Sequence, residues 1–243
     1  MTGSAAVQEL AQDRVLTFAS YNIHKAVGLD RRRDPERIMR VLHEVNADVI
    51  ALQEADRRFG RRVTALPLHV INESPWRAVT LDTRPDSIGW HGNAMLVRKG
   101  IDITGASIVP LPTLEPRGAI CVDLIAAGRP LRVVGMHLDL SGIRRRHQIR
   151  AVLAHVGACD VPCPTVMMGD FNEWATVGGS LREFSAGHVV LAPGRSFHAR
   201  RPMAQLDRII ISHDVQAIDT GVHHSALSAV ASDHLPVWAR LAF

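Results

Sequence analysis

Thr165-Val166-Met167-Met168-Gly169-Asp170-Phe171-Asn172 is an apolar run that breaks into polar residues. Thr165 to Met168 is too short for a helix and begins with two β-branched residues, so it reads as a strand buried on both faces. Gly169-Asp170-Phe171-Asn172 then sets an acid and an amide where that strand leaves its sheet. Residues that bind and react concentrate on loops at strand ends. The same arrangement recurs along the chain, and that recurrence decides the fold.

Working outward, five other strand ends carry the same kind of residue. Val15 to Tyr21 alternates like a strand and runs into Tyr21-Asn22-Ile23-His24. Val49 to Leu52 runs into Gln53-Glu54. Ala119 to Ile125 and Leu131 to Met136 flank Ala-Ala-Gly-Arg-Pro, a hairpin signal, and the second strand ends at His137. Leu206 to Ile211 opens with Asp207, and Leu235 to Leu241 follows Ser232-Asp233-His234. Asn93 to Val97 is a further strand. Between these lie two amphipathic helices. One starts at Asp34-Pro35-Glu36, an N-cap, a first-turn proline and an early acid, carries Ile38, Val41, Leu42 and Val45, and stops at Asn46. The other carries Ile149, Val152, Leu153 and Val156 at helical spacing. Strands and helices mixed in this way describe an α/β chain, for which two packed sheets with helices outside is a fitting solution.

The residues at the strand ends suit hydrolysis of a phosphate ester. Hard oxygen donors such as Glu54 and Asp233 favour magnesium or manganese over zinc. A carboxylate such as Asp170 orients and deprotonates water for in-line attack. A histidine beside an acid stays protonated and stabilises a crowded phosphoryl group. Asparagine donates to a phosphate oxygen without adding charge.

Tyr21-Asn22-Ile23-His24, Leu52-Gln53-Glu54, Gly92-Asn93-Ala94, Gly169-Asp170-Phe171-Asn172, Leu206-Asp207 and Ser232-Asp233-His234 together resemble the endonuclease/exonuclease/phosphatase superfamily, in order and in spacing, from about Val15 to Phe243. The resemblance implies a four-layered α/β sandwich, two packed mixed β-sheets flanked by helices, with the active site at one edge. It implies Mg2+ (or Mn2+) held by Glu54, with Asn22 and Asp233 close by. It implies Asp170 as the group that activates water, Asn172 as its assistant at the phosphate, and His234, held by Asp207, and His137 as phosphate-contacting histidines. Arg117 and Asn93 match substrate-binding positions. The expected activity is that of a metal-dependent hydrolase acting on a phosphodiester or phosphomonoester of a small anionic or lipid headgroup substrate. A nuclease on DNA or RNA is the alternative, and a non-catalytic binding module on the same fold is disfavoured by the complete set of acids and histidines. Members that repair abasic DNA carry a tyrosine near the phosphate in mid-chain. Here Tyr21, in the first strand, is the only tyrosine.

The 243 residues, 47% of them hydrophobic, suffice for one sizeable core. Residues 1–13 read as a flexible tail and 14–243 as a single catalytic domain. No run approaches the roughly 20 apolar residues of a membrane span. Three cysteines cannot form a paired framework and leave too few ligands for structural zinc, so a cytoplasmic monomer is expected. The net charge is +4, with Lys25 and Lys99 the only lysines. Clusters at Arg31-Arg32-Arg33, Arg57-Arg58, Arg61-Arg62, Arg144-Arg145-Arg146 and Arg200-Arg201 border the strand-end residues. They read as a basic collar for a substrate with several phosphates, a nucleic acid or an anionic lipid surface.

Overall fold

Strand Val49–Gln53 shows how the sequence builds layers: Val49 and Ala51 face one apolar cluster, Ile50 and Leu52 another. Side chains alternate across a strand, so a strand apolar at every position needs cover on both sides. The computed structural model describes residues 15–57, 63–81, 86–113, 117–159 and 161–243. The tail expected over 1–13 lies outside them, as do Arg58, Arg61 and Arg62.

In chain order the strands are β1 Val15–Asn22, β2 Val49–Gln53, β3 Trp76–Ala78, β4 Gly89–Trp90, β5 Asn93–Arg98, β6 Asp102–Val109, β7 Gly118–Ala126, β8 Arg129–His137, β9 Thr165–Asp170, β10 His188–Leu191, β11 Asp207–Ser212, β12 Gln216–Val222 and β13 Val237–Ala242. The helices are α1 Pro35–Val45, α2 Leu68–Asn72, α3 Gly142–Gly157 and α4 Ser228–Ala231. One sheet has the order β12-β13-β1-β2-β5-β3, with β4 also paired to β5. The other has the order β10-β11-β9-β8-β7-β6. β1 runs parallel to β2 and β8 parallel to β9, and the remaining pairs are antiparallel.

The core between the sheets joins Phe18, Val49, Ala51 and Met95 of the first to Ile120, Val133, Met168 and Ile209 of the second. α1 covers the outer face of the first sheet, with Ile38, Val41 and Leu42 against Tyr21, Ile50 and Leu96. α3 covers the second, with Ile149 and Val152 against Val134, Met136 and Met167. This is the four-layered α/β sandwich. Each of these side chains is fully buried or nearly so, a gain of about 1.5–3 kcal/mol apiece.

The local signals act as expected. Asp34 accepts the Arg37 amide at 2.8 Å and Pro35 opens α1, while Asn46 ends it in the left-handed region at φ 51°. The hairpin turns on Ala127 and Gly128, both at positive φ. β3, β4, β6, β10, β12 and the short α2 and α4 were not expected from the sequence. Of these, β6 and β12 are edge strands with mostly half-buried or exposed side chains, so they lack the apolar runs that mark the central strands.

Candidate active site

The register of the two sheets brings the polar strand ends to one edge. In the second sheet, His137 pairs with Asp170 and Asp170 with Asp207, so three of them stand side by side at the ends of β8, β9 and β11. In the first sheet, the Ile23 amide bonds the Gln53 carbonyl at 3.0 Å and the Lys25 amide bonds Glu54 at 3.1 Å, which joins the Asn22 and Glu54 loops. Ser232 Oγ donates to the Asn22 carbonyl at 2.7 Å and holds the Asp233-His234 loop against β1. Side-chain bonds also cross between the sheets: Asn22 Nδ2 donates to Asp170 Oδ2 at 3.1 Å.

Gly169 explains part of the Gly-Asp-Phe-Asn motif. A Cβ there would lie 1.9 Å from the Met136 carbonyl oxygen, so only glycine lets β9 press against β8 and deliver Asp170. Glu54 and Asn172 hold the left-handed conformation, φ 54° and 50°. For a glutamate this costs roughly 1 kcal/mol, and such outliers persist where surrounding structure fixes them for a purpose.

Asp170 is the hub. Its Oδ2 lies 3.3 Å from His137 Nε2 and 3.7 Å from His234 Nε2. Its Oδ1 accepts the Asn172 amide at 2.9 Å, and Asn172 Nδ2 donates to the Leu138 carbonyl at 3.0 Å. Burial pushes the Asp170 carboxyl up, but the His234 and His137 charges outweigh it and hold the group well below the usual carboxylate range. His234 Nδ1 donates to Asp207 Oδ2 at 2.9 Å, and Ser196 Oγ donates to the same oxygen. Burial opposes the His234 charge, yet Asp207 and then Asp170 raise the imidazole to about 10. Burial also pushes Asp207 upward, against the attraction of His234. The shared proton belongs on the imidazole, because an imidazolium faces two carboxylates whereas a neutral Asp207 would leave His234 only one. Phe197 covers this histidine, ring centroids 4.9 Å apart.

Arg117 is half-buried, and its Nη1 abuts His137 Nε2. Asn93 stands apart: it is 1% exposed, and its Nδ2 donates to the Trp90 carbonyl at 3.3 Å rather than to another residue of the group. Its Oδ1 has no hydrogen-bond partner among the described residues.

The fit to a divalent cation rests on the donor chemistry. Glu54, Asn22 and Asp233 offer only oxygens, as magnesium or manganese requires. Glu54 is half-buried, and although burial pushes its carboxyl up, the charges of His137 and Lys25 keep it low and ionised. Lys25 Nζ pairs with Glu54 Oε2, so the carboxylate already carries a cation that a metal would displace or share. Asp170, Asp207 and His234 bring ligand atoms within 4.8 Å of one another. A protonated His234 bonded to Asp207 repels a cation, so this group fits a proton-holding role better than a metal site.

The sequence assigns no role to Lys25, Ser196 or Phe197, and places Ser232 only within Ser232-Asp233-His234. Lys25 had a signal: it is one of two lysines among 28 basic residues, so a compact ammonium stands where arginine is the rule. Ser196 and Phe197 carry no local signature, because their partners are distant in sequence.

Among the described arginines, Arg37, Arg132, Arg145 and Arg208 are buried, and the last two lie beside the site. Arg145 is 7% exposed and bonds Glu173, Ser180 and the carbonyls of Asp139 and Leu140. Arg208 is fully buried against the Asp207 and Ala175 carbonyls. Of the cluster at 144–146, only Arg144 and Arg146 therefore face solvent. Arg145 is a strut.

The sequence profile of the Endonuclease/Exonuclease/phosphatase family matches residues 19–234. YbhP, an uncharacterized protein of Escherichia coli (strain K12), is 26% identical over 249 aligned positions, covering 94% of this chain and 95% of its own. Among solved structures, humanized D. rerio TDP2 superposes with a TM-score of 0.74 at 16% identity, covering 95% of this chain and all (100%) of that one. An endonuclease/exonuclease/phosphatase from Beutenbergia cavernae gives 0.72 at 22% identity, over 95% and 72% of the two chains. The mannosyl-6-phosphatase Bt3783 of Bacteroides thetaiotaomicron gives 0.68 at 20% identity, over 94% and 100%. The structures share the fold, and with the profile spanning both sheets and every strand end described above, the chain belongs to the Endonuclease/Exonuclease/phosphatase family.

Proposed function

We propose that the chain is a Mg2+- or Mn2+-dependent phosphoesterase that hydrolyses a phosphodiester or phosphomonoester of a small anionic or lipid headgroup substrate, with residues 14–243 as one catalytic domain. The convergence of His137 and His234 on Asp170, with Asp207 behind His234, carries this reading. A divalent ion held by Glu54, Asn22 and Asp233 would polarise a phosphoryl oxygen and offset its developing charge.

The protein's own groups supply the rest. Asp170 is ionised and accepts a proton from the attacking water. Asn22 and the Asn172 amide fix its two oxygens, so the lone pair that takes the proton is oriented in advance. His234 donates Nε2–H to a phosphoryl oxygen, with Asp207 holding the ring by Nδ1. Asn172 keeps one N–H free of its bond to Leu138 for the same purpose. Arg117 and His137 stand together, and an anion there would meet both side chains. A monomer in the cytoplasm fits the three free cysteines.

A nuclease acting on DNA or RNA with the same core is a second reading, favoured by the exposed Arg31, Arg32, Arg200 and Arg201. The deciding experiment is release of nitrophenol from bis-p-nitrophenyl phosphate with Mg2+ or Mn2+. Turnover should fall by about 10²-fold or more in Asp170→Asn and in His234→Ala. Absence of turnover on any monoester or diester would leave a binding module. A panel of phospholipids, inositol phosphates, plasmid DNA and RNA then separates the substrate classes.

A further inference from the structure

Among the described residues, the five most exposed large apolar side chains are Leu140, Ile143, Trp174, Val177 and Met203, at 67, 70, 63, 90 and 65%. Four stand on loops that leave the site, and Ile143 stands in the first turn of α3, directly after one of them. Leu140 and Ile143 follow His137, Trp174 and Val177 follow Asn172, and Met203 precedes Asp207. The loops are stitched together. Arg145 bonds the Leu140 carbonyl at 2.7 Å and Glu173 at 3.2 Å. Trp174 meets Phe197 edge-on at 6.2 Å, and the Met203 amide bonds the Phe197 carbonyl at 2.7 Å. The segments that carry Leu140, Trp174 and Met203 are thus tied to one another, and Ile143 and Val177 follow on two of them. Together they make an exposed apolar rim of the kind that marks an interaction site.

Charge tells which partner fits. Arg144 and Arg146, in the first turns of α3, and Arg200 and Arg201, on the loop of Met203, lie half-buried or exposed beside them in the chain. The carboxylates there, Asp139 and Glu173, are turned inward, 7% and 5% exposed, and are already bonded. The rim is thus apolar and basic. A second copy of the chain across a two-fold axis would set these arginines against their own kind. A nucleic acid would use the charge but not four aliphatic side chains, which give bases no stacking face. A bilayer with anionic headgroups uses both, with tryptophan at its preferred depth.

We propose that this rim docks the protein on an anionic lipid surface, the apolar side chains entering the interface and the arginines resting on the headgroups. The active-site reading gives the docking its purpose, but the test does not depend on it.

The full-length protein should co-sediment with vesicles of phosphatidylcholine containing about one-fifth phosphatidylserine, and less with phosphatidylcholine alone. Ile143→Ser combined with Val177→Ser should lower partitioning about tenfold or more. Arg144→Gln with Arg146→Gln should lower it too and flatten its salt dependence. A blue shift of tryptophan emission on vesicles should disappear in Trp174→Phe. Turnover of bis-p-nitrophenyl phosphate should be unchanged in the serine variant, which also reports that it folds. No sedimentation of the wild type, or equal sedimentation of the serine variant, would overturn the proposal. So would vesicle-independent self-association, or single-stranded DNA binding without vesicle binding, that the serine variant abolishes. Vesicle binding by a protein with no turnover would count against the catalytic reading alone.

Discussion

Glu173 sits directly after Asn172 and is the anchor of the loop that closes one side of the site. Its Oε2 accepts Ser180 N at 2.9 Å, Ser180 Oγ at 2.7 Å and Arg145 Nη2 at 3.2 Å, and its Oε1 accepts Ala175 N at 3.1 Å. Burial pushes this carboxyl up, but the Ser180 and Ala175 bonds and the Arg145 charge outweigh it and hold the group at about 2. Glu173→Ala strips the partner from a guanidinium that is 7% exposed. Orphaning one member of a buried pair costs about 3–5 kcal/mol. Ser180 is 1% exposed, so its amide and hydroxyl, left without the carboxylate, add to that cost, and about 5 kcal/mol is expected. Glu173→Gln keeps the shape and some acceptors but loses the charge, and should cost about 2 kcal/mol. Urea unfolding with linear extrapolation measures both. The folded value lies below the ordinary 4.5, so the carboxylate's contribution is present above the unfolded value and is lost as pH falls toward 2. The Glu173→Gln deficit should therefore be flat near neutral pH and fade on acidification below about 4.5. A deficit under about 1 kcal/mol in Glu173→Ala, or a Glu173→Gln deficit independent of pH, would refute the strut and return Arg145 to the collar.

Asp207→Asn should lower turnover of bis-p-nitrophenyl phosphate about 10²-fold or more with an unchanged circular dichroism spectrum, since it removes the group that orients and charges His234. Lys25→Gln should tighten Mn2+ binding by about fivefold in calorimetry, because a half-exposed ion pair with Glu54 competes with the metal for about 1 kcal/mol. Weaker Mn2+ binding in that variant would mean that Lys25 supports the metal rather than opposing it.

The sequence alone determined the central strands, the two main helices and which polar residues stand at the strand ends. Strands such as Val49–Gln53 and Thr165–Asp170 are covered on both faces, so continuous apolar runs reveal them. Asp34-Pro35 and Asn46 set helix ends through purely local chemistry. Edge strands such as Asp102–Val109 escaped, because half-exposed side chains carry no such pattern. What only the tertiary structure decided is which charges face each other. Asn22 reaches Asp170 across 148 positions, and Asp207 reaches His234 across 27. Three adjacent arginines were alike on the page, yet α3 turns Arg145 inward to Glu173 and leaves Arg144 and Arg146 toward solvent. A helix advances about 100° per residue, so neighbours in sequence face different surroundings, and only the packed neighbours say whether a charge holds a loop or meets a ligand.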